Sequence, residues 1–432
     1  MGERPAGIHY IQSTKVWFKA AAMSAPGATI KSRDRYWQRV VALGFAGWVI
    51  MYADRSILSP ALPAIQQQWD VSESILGLIV SSFFVAYALV QIPVGILSDR
   101  LQRRMLLLVP GFVVIALGVL LSGSASRPSY LLLASVVMGI GQGVYYPIQF
   151  SLSTESIPKS KRAFATSIIN SGQAVGITFG LLLAGFIVPL WDGAWRVPFW
   201  IMAIPTLLVG LAFAVGIRPD RQNVGNTNND SNGCDATQLD TGNVWSYRTA
   251  CLCVINFCSN FGFFIILTWL PFYLEVDRGF GTASVGWIAS LVPWAAVVGG
   301  LVMSWISDHA RHRKYVALAT LPLCALSLIA IPFDSTLVLF AALLIYGLVG
   351  KLALDPVLIA MVADGIPSSC YGKVFGVFNF SAMLASISGP YLMGWLSASA
   401  VGMNAGFYIA SVLIGIAAIL VMCLPSEADG AR

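Results

Sequence analysis

The segment WVIMYADRSILSPALP, residues 48–63, sets Asp54 and Arg55 side by side in an otherwise apolar run. Ionisable groups buried in a bilayer cost about 3 kcal/mol each on insertion scales, and they face a bundle interior or a water-filled path. An arginine keeps its charge when buried and holds a carboxylate through two parallel hydrogen bonds. Arg55 therefore reads as the docking point for an anion. Asp54 reads as a proton carrier, because burial disfavours its charge, a neighbouring cation favours it, and an anion arriving at Arg55 shifts the balance. The competing reading is a structural ion pair that tethers this segment to a neighbour. A second pair lies in YGLVGKLALDPVLIA, residues 346–360, where Lys351 and Asp355 stand four apart on one helix face, in the less favoured order for such a pair. Either the two neutralise each other, or Lys351 supplies a second anion contact and Asp355 titrates.

The elements that must hold these groups are set by composition. The chain has 432 residues, 57% hydrophobic and 11% charged, with a mean hydropathy of +0.75, far from a soluble globular balance. About 20 apolar residues cross a bilayer as a helix. Twelve such spans are predicted, near 40–62, 73–97, 106–124, 129–152, 163–189, 197–217, 246–273, 283–306, 315–332, 335–361, 374–397 and 403–424. Lys and Arg are retained on the cytoplasmic side. With the N-terminus inside, only Arg127, Arg196 and Arg278 fall in outside loops, and only Arg55 and Lys351 lie deep within spans, Arg248 standing at the cytoplasmic start of one. Both termini are thus expected in the cytoplasm of a multi-pass cell-membrane protein. The net charge of +6 is explained by these topology signals, and no nucleic acid is needed to account for it. Seven cysteines are scattered without metal-ligand spacing, so no metal or cofactor is expected beyond an ion gradient. Residues 1–38 are mixed and polar and show no cleavable signal peptide. The first 22 carry no functional signal.

An offset of 209 residues superposes many punctuating positions. Gly77 meets Gly286, Ser98 and Asp99 meet Ser307 and Asp308, Gly141 meets Gly350, Pro147 meets Pro356, Asn170 meets Asn379, and Gly180 and Gly185 meet Gly389 and Gly394. The chain reads as a tail (1–38), a six-helix bundle (39–217), a polar flexible linker (218–244), a second six-helix bundle (245–424) and a short tail (425–432). Parallel six-helix repeats are one design of secondary transporters, with the substrate site near the bilayer midplane. No filter-like loop or charge ring points to a channel, no nucleophile with a placed base points to an enzyme, and nothing requires more than a monomer.

GILSDRLQRR, residues 95–104, and its weaker copy SWISDHARHR, residues 304–313, sit where second spans end. They resemble the G-x-x-x-D-R-x-x-R-R/K signature of the major facilitator superfamily, with Gln102 where glycine is common. The resemblance implies twelve transmembrane helices in an all-α fold, and it makes Asp99, Arg100, Arg103, Arg104 and Asp308 gating residues that latch the halves in one conformation. The Asp54-Arg55 pair with SILSPALP, together with AYALVQIPVGILSDR (86–100), TSIINSGQAVG (166–176) and TWLPFYLEVDRGF (268–280), looks like the anion:cation symporter branch. Members of that branch carry sugar acids, sialic acid, glutamate, phosphate and other organic anions, often with protons. The lysolipid-exporting spinster-like branch shares a first-span Asp-Arg.

Substrate contacts implied by spacing and by this resemblance are Arg55, Tyr52, Tyr87, Gln142, Gln173, Lys351 and Asn379, with Asn260, Trp269, Tyr145 and Tyr146 as further pocket residues. Proton coupling is assigned to Asp54 and Asp355. Two departures stand out: the branch commonly carries an Arg and then a Glu ahead of the fourth-span Pro, and here Ser135 and Gln142 precede Pro147. The missing carboxylate puts the usual coupling in doubt, and Lys351, at the position equivalent to Gln142, is the candidate compensation. The expected function is secondary transport of a small organic anion, a sugar acid or monocarboxylate, by proton-coupled alternating access. The alternative is proton-driven export of amphipathic or lysolipid-like compounds.

Overall fold

Runs of Leu, Val, Ala, Phe and Gly with no polar face must satisfy their own backbone hydrogen bonds in hydrocarbon, so each folds as a helix. The computed structural model describes residues 27–100, 105–158, 162–190, 194–217, 246–309, 313–364 and 371–424. The first half comprises α1 (Gly27–Ser56), α2 (Leu58–Trp69), α3 (Glu73–Arg100), α4 (Met105–Gly123), α5 (Pro128–Ser156), α6 (Arg162–Leu190) and α7 (Val197–Gly216). The second comprises α8 (Tyr247–Phe272) with a π turn (Tyr273–Asp277), α9 (Thr282–His309), α10 (Arg313–Ala330), α11 (Thr336–Val349), α12 (Lys351–Asp364), α13 (Tyr371–Ser397) and α14 (Asn404–Cys423). Among the described residues, ten segments are long and apolar enough to cross a membrane, counting α1–α2 and α11–α12 as one each. The shorter apolar α4 and the 27-residue α13 complete the twelve predicted spans.

Two predicted spans have irregular points. The run predicted over 40–62 stays helical through Ile57 (φ −62°, ψ −27°), where the hydrogen-bond ladder between α1 and α2 is locally lost. Pro60 and Pro63 offer no N–H to the carbonyls four residues back, and the Ser56 hydroxyl donates to the Tyr52 carbonyl at 2.7 Å. The run over 335–361 is interrupted at Gly350, whose backbone is extended (φ −74°, ψ −170°). Each irregular point adjoins a charged residue, Arg55 in the first case and Lys351 in the second.

Small residues set how closely the helices approach. A Cβ at Gly172, Gly176 or Gly180 would stand 2.6, 2.3 or 2.5 Å from the carbonyls of Phe45, Val49 and Ala53, so this stripe on α6 locks α1 up to the turn that carries Asp54 and Arg55. Between the halves, α3 crosses α13, α6 crosses α9 and α2 meets α8. A Cβ at Gly77 would lie 2.7 Å from the Pro390 carbonyl, and one at Gly286 would lie 2.8 Å from that of Leu181. The 209-residue offset relates these two contacts residue for residue. Gly394 against Glu73 and Gly185 against Thr282 form a second related couple.

Serine hydroxyls reinforce the crossings. Ser59 donates to the Leu267 carbonyl at 2.9 Å and Ser81 to that of Ile387 at 2.8 Å. These contacts seal the bundle at the end away from the two termini, called the far end below. Toward the other end, Asn379 Nδ2 donates to Gln91 Oε1 across the halves at 3.2 Å.

Replacing Gly176 with Val puts branched carbons into the Val49 carbonyl. Overpacking of this kind costs about 1–3 kcal/mol, so the melting temperature of purified protein is expected to fall. Gly415→Ala, where a Cβ meets nothing within 4 Å, is the matched change expected to leave it unaltered.

Candidate functional site

Arg55 closes the last turn of α1, half-buried. Its Nε donates to Gln142 Oε1 at 2.5 Å, and Gln142 Nε2 donates to the Met51 carbonyl at 3.2 Å. Gln142, expected to meet substrate, is fully buried with one hydrogen bond at each end of its amide, and in this arrangement it orients Arg55. Four rings surround the guanidinium, with its central carbon 4.8 Å from the centroid of Tyr52, 5.1 Å from Phe83, 6.0 Å from Phe84 and 4.9 Å from Tyr87. Glycine again permits the approach. A Cβ at Gly139 or Gly143 on α5 would lie 2.3 or 2.8 Å from the carbonyls of Phe83 and Tyr87, which draws α3 against Gln142. Arg55 Nη2 is buried without a hydrogen-bond partner. With Nε occupied, rings around the cation and the Tyr52 and Tyr87 hydroxyls within reach of the guanidinium, Nη2 is the nitrogen that remains for an anion.

Asp54 points elsewhere, since adjacent residues diverge by about 100° around a helix. It is fully buried and accepts a hydrogen bond from Thr206 Oγ1 of α7 at 3.0 Å, while its Oδ1 has no partner. No ion pair joins it to Arg55. Each of the two residues fastens α1 to a different helix, Asp54 to α7 and Arg55 to α5.

Lys351 and Asp355 form the ion pair their spacing predicts, at 3.1 Å, with side chains 15% and 31% exposed. The Lys351 ammonium lies 5.9 Å from the Phe263 centroid. Asp355 is within electrostatic range of Tyr52 and Tyr146 in the other half, which puts this pair beside the Arg55 surroundings. A chain of rings links the two cations: Phe83 to Phe84 at 4.9 Å, Phe84 to Phe264 at 4.8 Å across the halves, and Phe264 to Phe263 at 5.2 Å.

The remaining expected residues divide. Tyr52 and Tyr87 join Arg55. Asn379 is engaged with Gln91, and Gln173 is half-buried on α6 with no hydrogen bond to a described residue. Asn260 donates to Asn256, Trp269 to the Pro390 carbonyl and Tyr145 to that of Gly44, all contacts within one half. The side chains of Asp99, Arg100 and Asp308, and all of Arg103 and Arg104, lie outside the described residues. Near the second copy of that motif, Arg313 pairs with Asp364 at 2.7 Å. Sequence reasoning missed Phe83, Phe84, Phe263, Phe264, Gln91 and Thr206. The two Phe-Phe doublets were a visible signal.

The family description Major Facilitator Superfamily matches residues 44–283 and 252–431. The chain belongs to the major facilitator superfamily. Within it, the human voltage-gated purine nucleotide uniporter SLC17A9 is 27% identical, over 84% of this chain and 87% of its own length. The hexuronate transporter of Bacillus subtilis is 25% identical, over 89% and 93% respectively. The crystal structure of a bacterial homologue of the human lysosomal transporter Spinster, inward-facing and occupied, shares the fold with a TM-score of 0.72 at 17% identity, covering 90% of this chain and 96% of that one. Among the described residues no cluster of His, Cys, Asp or Glu is suited to a metal ion.

Gln142→Glu, at the position where the resembled branch carries a carboxylate, would set an anion on Arg55 Nε. Anion binding is expected to weaken at neutral pH and recover as pH falls and the glutamate protonates. Ligand-induced thermal stabilisation measured across pH checks this.

Proposed function

We propose that this chain is a secondary transporter of a small organic anion, a monocarboxylate or sugar acid, working by alternating access and driven by protons. The observation that carries this reading is Arg55: a guanidinium inside the bundle, held by Gln142 at Nε, with an unpartnered Nη2. A carboxylate meets such a fork with two charge-assisted hydrogen bonds. The names of the relatives agree in chemistry, since hexuronates and nucleotides are both anions. Tyr52 and Tyr87 flank the bound group in this reading, Lys351 is the second cation reached from the other half, and Gln173 and Asn379 meet its polar groups.

Asp54 carries the coupling proton. A buried carboxylate with one neutral hydrogen bond and a bare oxygen is costly as an anion, and a proton on Oδ1 removes that cost. Asp355 is the second titrating group, released when an anion claims Lys351. Both termini face the cytoplasm, Asp99, Arg100, Arg103, Arg104 and Asp308 latch the cytoplasmic ends, and the sealed far end is the outer one. The protein works as a monomer in the cell membrane.

Thermal stability against glucuronate, smaller carboxylates, neutral sugars and lysolipids tests the cargo. Ligands that bind the folded state stabilise it by mass action, by about 2.7 kcal/mol at a hundred times Kd, and so raise the melting temperature. Carboxylates alone should stabilise the protein, and Arg55→Ala should abolish the effect while the unliganded protein stays folded. Stabilisation by lysolipids alone would favour export of amphipathic cargo instead. In liposomes, Asp54→Asn should retain solute exchange and lose proton-driven accumulation. Unchanged accumulation would remove Asp54 from the coupling.

A further inference from the structure

We infer that Phe83, Phe84, Phe263 and Phe264 form the innermost layer of the far-end seal and that the charge of Arg55 holds this layer shut, so that an anion arriving at Arg55 loosens the gate. The inference rests on the anion reading above and deepens it, by joining ligand recognition to opening of the opposite side.

The four rings are each 4% or less exposed, and one contact, Phe84 to Phe264, bridges the halves. Ser81, one turn from Phe84 along α3, is itself bonded across the halves, and Gly77 and Glu73 continue the crossing outward. The seal along α3 from Phe84 to Glu73 is about 16 Å deep at 1.5 Å per residue. Its inner face is therefore the ring layer. Arg55 contacts two of these rings at 5.1 and 6.0 Å.

A ring attracts a cation through its quadrupole, and the attraction scales with the charge presented. A carboxylate on the terminal nitrogens opposes that field and weakens the hold on Phe83 and Phe84. The repeat relation sharpens the assignment. The 209-residue offset carries Arg55 onto Phe264 and Gln142 onto Lys351, so each half presents a cation to this layer. Lys351, which meets Phe263, is already paired with Asp355. Arg55 has a neutral amide as its hydrogen-bond partner, so its charge is the one an arriving anion can alter most.

The test uses the full-length protein in liposomes carrying Ser81→Cys, a position 4% exposed within the shut crossing, one turn outward of the layer. A membrane-impermeant thiol reagent is applied from the far-end side, and labelling of the protein without this cysteine is subtracted. In the absence of ligand, Phe84→Leu and Arg55→Met should each raise the labelling rate by about 2- to 30-fold, the range of one cation–π contact. Phe84→Tyr, which keeps the ring, should label like the parent. Glucuronate should accelerate labelling of the parent and leave Arg55→Met unchanged.

Parent-like rates in both Phe84→Leu and Arg55→Met would overturn the gate. Glucuronate that raises the melting temperature without changing the parent labelling rate would overturn the coupling. If glucuronate and the other carboxylates fail to stabilise the protein, the anion reading fails by itself, and the ligand-free rates still decide whether Arg55 holds the layer.

Discussion

A guanidinium near the middle of a bilayer stays there only if its surroundings replace the water it has lost. Around Arg55 that replacement is partial by construction. One nitrogen is fixed by Gln142, four rings stand around the cation, and a terminal nitrogen is left without a partner. Much of the first half serves this arrangement. The α6 glycines fix the rotation and depth of α1, the α5 glycines bring the α3 aromatics within reach, and Thr206 takes Asp54 away from its neighbour. An incompletely satisfied charge is a poor stabiliser and a good receptor.

The pseudo-symmetry of the chain is expressed unequally. At the far end the repeat is kept contact for contact, glycine against carbonyl on both crossings. In the interior it is broken: the position of Arg55 is phenylalanine in the second half, and that of Gln142 is lysine. In the transport cycle proposed above, symmetry falls where the halves separate and gives two matched seams, while asymmetry falls where the anion is recognised and gives one strong cation in the first half and a compensated one in the second.

Much of this was legible in the sequence for simple physical reasons. Spans follow from apolar length, the halves from a shared offset, and the Lys351–Asp355 pair from helical spacing. The directions of adjacent side chains were not legible. Asp54 and Arg55 read as a couple in one dimension, but their partners, Thr206 and Gln142, lie 152 and 87 residues away. The irregularity at Ile57 had its prolines as a signal, whereas a lone Gly350 in an apolar run gave little warning. The Phe83-Phe84 and Phe263-Phe264 doublets were visible in the sequence, but their meeting as one ring layer emerged only when helices from both halves were brought together.

Under the alternating access proposed above, the four glycines at the far-end crossings also bear on how the protein divides its time between conformations. A side chain added at Gly77 or Gly394 collides with backbone in the shut far end, and in that proposal the clash disappears once the halves part. Such a change shifts a two-state population by the energy it adds to one state alone. These positions are remote from the Arg55 nitrogens, so the balance between states and the affinity of the site are separable properties of this fold.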